Sequence, residues 1–155
     1  MRLWRLSSER HAHNFDGGYG LSNDGRWNTR GRPVTYCCTV PSLAALEKRV
    51  HVNDPSLLPA QVLVAYELPD SISKRTIVTA ELPADWPTRD TYTQGMGDRW
   101  LDSVTEALLF VPSVIVPIAN VPDQNVLINH RAAETSSIRI ADVIAFTLDP
   151  RLFRP

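Results

Sequence analysis

The chain has 155 residues, 43% of them hydrophobic and 21% charged, with a formal net charge of −1. That balance predicts a single globular domain over residues 1–155 and excludes a general attraction for nucleic acid. No apolar run approaches the ~20 residues needed to cross a bilayer, and the opening Met1-Arg2-Leu3-Trp4-Arg5-Leu6 is too short and too charged for a secretory signal.

Leu3 to Leu6 reads as an opening strand. Ser7 to Asn28 is polar and rich in Gly, Asn and His, which predicts a long loop of the kind that often carries function. Pro33 to Thr39 reads as a strand, with proline at its first position. The segment from Ser42 to Val52 reads as a helix, with Ser42 as N-cap and Leu43, Leu46 and Val50 on a packed face. Val62 to Leu68 and Arg75 to Thr79 read as strands, and Ala84 to Gly97 as loop with one helical turn. Asp98 to Leu109 reads as an amphipathic helix carrying Trp100, Leu101, Val104 and Leu108. Phe110 to Ile118 is strand-like but broken by Pro112 and Pro117. Val126 to Ile128 and a stretch within Ile138 to Leu148 supply the last strands. Short strands with few, irregularly placed helices predict an α+β domain rather than a doubly wound parallel sheet.

Two adjacent cysteines, Cys37 and Cys38, point to opposite faces of a strand, so they read as buried thiols in a reducing cytoplasm. The four histidines lack ligand spacing, so no metal site is expected, and His11 and His13 read as solvated. There is neither a Gly-x-Gly-x-x-Gly nor a Walker A pattern, and no Gly-x-Ser-x-Gly elbow.

The densest chemistry lies in Gly25-Arg26-Trp27-Asn28-Thr29-Arg30-Gly31-Arg32-Pro33-Val34-Thr35-Tyr36. Arg26 offers a guanidinium fork for a pyrophosphate, or is a surface arginine in a turn. Trp27 stacks on a base or caps the core, and Tyr36 stacks on nicotinamide or is a core tyrosine. Glu47, beside an apolar helix face, suits a ribose hydroxyl and an oxocarbenium-like transition state, or pairs with Lys48 or Arg49 on the helix surface. Ser113 is a hydroxyl in an apolar run and needs a partner, either substrate or backbone. Asn125 and Asn129 flank Val126-Leu127-Ile128 and either close a pocket or make turns. Asp102 and Glu106 read as a solvated helix face.

In this order the segments resemble the RES-domain family, named for an arginine, a glutamate and a serine. The matching segments are Gly25-Arg26-Trp27, Gly31-Arg32-Pro33-Val34-Thr35-Tyr36, Ser42-Leu43-Ala44-Ala45-Leu46-Glu47 with Val50-His51, Gly97-Asp98-Arg99-Trp100-Leu101, Val111-Pro112-Ser113, Asn125-Val126-Leu127-Ile128-Asn129 and Asp149-Pro150-Arg151-Leu152-Phe153. The resemblance implies a fold similar to ADP-ribosyltransferases and a toxin of a bacterial toxin–antitoxin pair, with NAD+ as substrate and no metal. It implies catalytic roles for Arg26, Tyr36, Glu47 and Ser113, with Trp27 and Asn129 completing the NAD+ site. NAD+ would be lost by hydrolysis or phosphorolysis, or its ADP-ribose transferred to a protein. It also implies a cytoplasmic protein blocked by an antitoxin with an Xre-like helix-turn-helix part, with homodimerisation as a further expectation. The sequence departs from the family at Asn129-His130-Arg131-Ala132, where Asn-Pro and a later His-Pro are usual. Two other readings stand beside this one: a non-catalytic nucleotide-binding module, and a nucleic-acid binder using Arg26, Arg30 and Arg32, which the net charge disfavours.

Overall fold

A strand of alternating small and apolar residues must choose which neighbours cover each face, and β2 (Val34–Cys38) does this at the centre of a seven-stranded sheet. The computed structural model describes residues 1–154. Around β2 lie β1 (Arg2–Ser8), β3 (Gln61–Glu67), β4 (Lys74–Thr76), β5 (Leu108–Pro112), β6 (Gln124–Asn129) and β7 (Arg139–Phe146). The spatial order is β4-β5-β6-β2-β1-β3-β7, antiparallel except for the β4–β5 pair. Three α-helices accompany the sheet: α1 (Gly18–Ser22), α2 (Pro41–Val50) and α3 (Asp90–Ser103). The α+β architecture expected from the sequence is the one found.

Register sorts the side chains. Val34, Tyr36 and Cys38 pair with Asn129, Leu127 and Asn125, so these six share one face, while Cys37, Val126 and Ile128 share the other. The second face is filled by Leu3, Cys37, Val64, Tyr66, Phe110 and Ile128. The first face carries two separate cores. One joins Trp27, Trp86, Trp100 and Leu101 to Val34, Leu109 and Leu127; the other joins Leu43 and Ala44 of α2 to Cys38 and Leu63. The seam between these two cores is where the polar residues of β2 and β6 emerge.

Several elements differ from expectation. Ser42 does not cap α2: Val40 is the N-cap and Pro41 takes the first helical position, where its missing N–H costs nothing. The polar stretch before β2 contains the short helix α1 and a single 3-10 turn, Glu9–His11. The largest shift is α3, which begins at Asp90 rather than Asp98 and ends at Ser103, with Val104 at φ 53 closing it. Gly95 and Gly97, which read as loop residues, lie within it. Gly97 is required there because a Cβ would lie 1.8 Å from the Trp27 carbonyl oxygen. β5 begins at Leu108, which had been assigned to that helix, and the strand expected to run to Ile118 stops at Pro112. β4 ends at Thr76, before the 3-10 turn Thr79–Glu81.

Cys37 and Cys38 are buried free thiols, while His11 and His13 are exposed. His130 is different: its Nε2 lies 2.8 Å from Thr35 Oγ1 and its ring meets Phe15 edge-on at 4.6 Å. Burial lowers its pKa from 6.5 to about 4, against the attraction of Asp16 and with a small contribution from Arg5.

Two predictions follow from these contacts. Gly97→Ala is expected to destabilise the protein by about 3 kcal/mol or more, read by denaturant unfolding. The unfolded chain binds a proton at His130 near pH 6.5 that the folded chain refuses until about pH 4. This contribution is therefore present above pH 6.5 and lost as pH falls through that window. His130→Gln is expected to flatten the decline in urea midpoint across it.

Candidate functional site

The turn Gly25–Asn28 closes on itself, with the Gly25 N–H donating to the Asn28 carbonyl at 2.9 Å. Buried Asn28 donates Nδ2 to the Asn23 and Thr29 carbonyls and accepts from the Tyr36 hydroxyl at 2.7 Å. That hydroxyl accepts in turn from the Trp27 N–H at 3.1 Å. A Cβ on Gly25 would sit 2.6 Å from the Tyr36 oxygen, so glycine is needed for the approach. Helix α3 holds the other side: Thr93 Oγ1 donates to the Arg26 carbonyl, Gln94 Nε2 to the Gly25 carbonyl, and the Thr29 N–H and hydroxyl to Asp98.

Arg26 points away from this turn. Its Nη1 donates to the Pro87 carbonyl at 2.9 Å and to Asp90 at 2.8 Å, and its Nε and Nη2 have no partner among the described residues. Arg32 instead forks onto Asp102 through Nε and Nη2, and lies 3.3 Å from Asp98. Hydrogen bonds from Arg32, with Arg131 adding to them, hold the Asp102 carboxyl below its usual range. Asp102 therefore ties the loop to α3 rather than forming a merely solvated face. Two of the three arginines in the basic cluster are ion-paired, which weakens the nucleic-acid reading.

The second half of the site forms where α2 crosses the seam. Glu47 is half-buried, and its Oε1 accepts from Ser113 Oγ at 3.0 Å and from Asn125 Nδ2 at 2.6 Å. Its Oε2 has no partner among the described residues. Ser113 is fully buried just after β5, and its oxygen also accepts from the Ile115 and Val116 N–H groups. Asn125 Oδ1 accepts from the Cys38 thiol at 3.2 Å. Burial, with Cys37 and Glu47 nearby, pushes the Cys38 pKa up, and burial raises Cys37 to about 12, so both remain thiols. Burial likewise raises the Tyr36 phenol, which stays protonated. Tyr36 and Cys38 are alternate residues on one face of β2, so Tyr36 lies on the same side of the sheet as Asn125, which reaches Glu47.

Of the four expected catalytic residues, Glu47 and Ser113 are hydrogen-bonded to each other, Tyr36 is bonded within the Gly25–Asn28 turn, and Arg26 is bonded to Pro87 and Asp90. Trp27 is 1% exposed and packs against Trp86 with ring centres 6.1 Å apart, so its face is committed to the core. Asn129 is fully buried at the far end of β6, where Nδ2 donates to the Leu101 carbonyl and Oδ1 accepts from the Arg131 N–H. Asn125, left open between pocket and turn, is the asparagine that reaches Glu47, and strand alternation from Tyr36 would have pointed to Cys38 beside it. Tyr19 on α1 is a further addition: its ring meets that of Tyr36 edge-on at 6.1 Å and is half exposed. A shallow depression of about 460 Å³ is lined by Thr88 to Tyr92, next to the Arg26–Asp90 pair. Another, of about 480 Å³, lies around Phe15 and His130, away from Glu47. Among the described residues no cluster of three His, Cys, Asp or Glu could hold a metal ion, and no helix is long and apolar enough to cross a membrane.

The seven-stranded α+β sheet and the Glu47–Ser113 hydrogen bond stand beside the following likenesses to known proteins. The RES domain family model matches residues 2–149, and the chain belongs to that family. A protein named Toxin Res from Pseudomonas putida (strain KT2440) is 39% identical over 160 residues, covering 99% of this chain and all of the relative. A protein named Prs ADP-ribosylating toxin from Sphingobium sp. (strain YBL2) is 32% identical, covering 98% of this chain and 96% of the relative. Among solved structures, a chain of the M. tuberculosis MbcT–MbcA toxin–antitoxin complex superposes with a TM-score of 0.71. It covers 98% of this chain and 86% of that one, at 14% identity, which is a likeness of fold.

Tyr36→Phe would leave the Trp27 N–H without an acceptor and Asn28 Oδ1 without a donor. It is expected to cost about 1–3 kcal/mol in denaturant unfolding while keeping the ring itself.

Proposed function

We propose that this chain is the toxin of a toxin–antitoxin pair and cleaves NAD+ at the bond between nicotinamide and ribose. The observation that carries this reading is the asymmetric carboxylate of Glu47: one oxygen is held by two donors, and the other has no partner among the described residues. The names of the family relatives support it.

In this reading the open oxygen of Glu47 takes the ribose hydroxyls and stabilises positive charge as it develops at the anomeric carbon. Ser113 and its two backbone donors hold the other oxygen in place. Tyr36 presents its ring to nicotinamide, with Tyr19 beside it. Arg26 turns its unspent Nε and Nη2 toward the pyrophosphate, where a fork of donors suits phosphate oxygens. Trp27 and Asn129 serve NAD+ indirectly, by holding the turn and the end of β6 from within the core. Nicotinamide leaves as a neutral base from a cationic ring, so no general acid is needed. Fixed charges then supply the rate enhancement.

Water as acceptor gives hydrolysis and phosphate gives phosphorolysis. The Sphingobium relative's name favours a protein side chain as a third acceptor, which would make the reaction ADP-ribosyl transfer. Since NAD+ loss would harm the host, we assign the chain to the cytoplasm with an antitoxin that covers the seam and carries an Xre-like helix-turn-helix part. The chain itself needs no direct contact with nucleic acid in this scheme, and homodimerisation is compatible with it.

Purified protein is expected to release nicotinamide from NAD+. Glu47→Ala, folded by its unfolding curve, is expected to lower kcat on the order of a hundredfold or more. Arg26→Ala is expected to raise KM more than it lowers kcat. Undiminished release by folded Glu47→Ala would overturn the reading, and mass analysis of the ribose product identifies the acceptor.

A further inference from the structure

We propose that Asn125 and Cys38 are positioning residues for Glu47, with the Cys38 thiol helping to fix which way the Asn125 amide faces. This rests on the role given to Glu47 above. A glutamate carboxylate turns easily about its last torsion, which is broad and two-fold. Two donors on the same oxygen, Ser113 Oγ at 3.0 Å and Asn125 Nδ2 at 2.6 Å, break that symmetry and leave Oε2 without a partner among the described residues.

Each donor must itself be held. The Ser113 oxygen already accepts from two backbone N–H groups, at 3.0 Å from Ile115 and 3.3 Å from Val116, so its one proton goes to Glu47. The Asn125 amide has no such backbone clamp on its Oδ1. A half turn would exchange Oδ1 and Nδ2 and set two acceptors against each other at the position of the 2.6 Å bond. The Cys38 S–H, donating to Oδ1 at 3.2 Å, adds to the preference that the acceptor-only Glu47 carboxylate sets, since the flipped amide would find the sulfur only as a weak acceptor. The β2–β6 register supplies this contact by placing Cys38 directly opposite Asn125. Cys38 is 5% exposed and stays protonated, so its part is that of a donor and not of a nucleophile.

The test is steady-state nicotinamide release at varied NAD+, with thermal unfolding as the check on folding. Asn125→Ala is expected to lower kcat on the order of tenfold, with KM little changed. Cys38→Ala is expected to lower kcat by roughly threefold, since a thiol is a weak donor. Cys38→Ser, which keeps a donor, is expected to restore most of that loss. A folded Asn125→Ala with wild-type kcat, or a Cys38→Ser no better than Cys38→Ala, overturns the proposal. A wild-type protein that releases no nicotinamide would instead overturn the assigned reaction. The positioning claim is then decided by the Asn125 side-chain NH2 resonances in 15N–1H spectra, identified by their loss in Asn125→Ala. They are expected to shift in both Glu47→Gln and Cys38→Ala, and resonances unmoved by either change overturn it.

Discussion

The two hydrogen bonds onto Oε1 of half-buried Glu47 tie α2 to the segments at β5 and β6, and the site depends on that junction. The donors come from separate parts of the chain: Ser113 lies 66 residues away and Asn125 lies 78. They meet only because β5 and β6 are neighbours in the sheet and α2 crosses the same face. Local helix preference cannot bring these groups together. The β2–β6 register does so on one side, and the burial of Leu43 and Ala44 under α2 does so on the other. A slip of one residue in β6 would turn Asn125 to the opposite face and leave the carboxylate half-satisfied.

The other half of the seam is built by a different device. Its turn has little apolar surface of its own beyond Trp27, so it borrows rigidity from α3 through hydrogen bonds to Thr93, Gln94 and Asp98 and through the Arg32–Asp102 fork. That borrowing requires the helix backbone to touch the turn backbone, which is why a glycine stands in the middle of α3 despite its poor helix propensity. Local and tertiary preferences conflict here, and the tertiary contact prevails. The large aromatic partners on the same surface, Trp27, Trp86 and Trp100, provide the apolar burial that outweighs it, although the Trp100 indole N–H is buried without a partner among the described residues.

The same conflict explains what could be read in advance. The strands were legible because their alternation and their proline and glycine boundaries are local signals. Roles for Arg26, Tyr36, Glu47 and Ser113 come from family resemblance, while spacing alone leaves each with a plainer alternative. The first turns of α3 were hidden because Gly95 and Gly97 look like loop residues until Trp27 is placed against the helix. Ser42 looked like a cap because Pro41 disguised where the helix begins. Asn125 was ambiguous because an asparagine at a strand end looks the same whether it turns the chain or reaches a carboxylate, and only the pairing partner Cys38 separates the two.

The two borders of the sheet are unequal. β4 is three residues long and carries Lys74 and Arg75, whereas β7 runs for eight residues with Val143 and Ile144 well exposed. Charge and brevity discourage strand addition at the first border; the second carries Arg139 and Asp142 but is long and exposes apolar side chains beside them. β7 stands three strands from β2, about 14 Å along the sheet at the usual spacing. A chain annealed along that margin would lengthen the sheet sideways, away from the face of β2 that carries Tyr36 and Cys38.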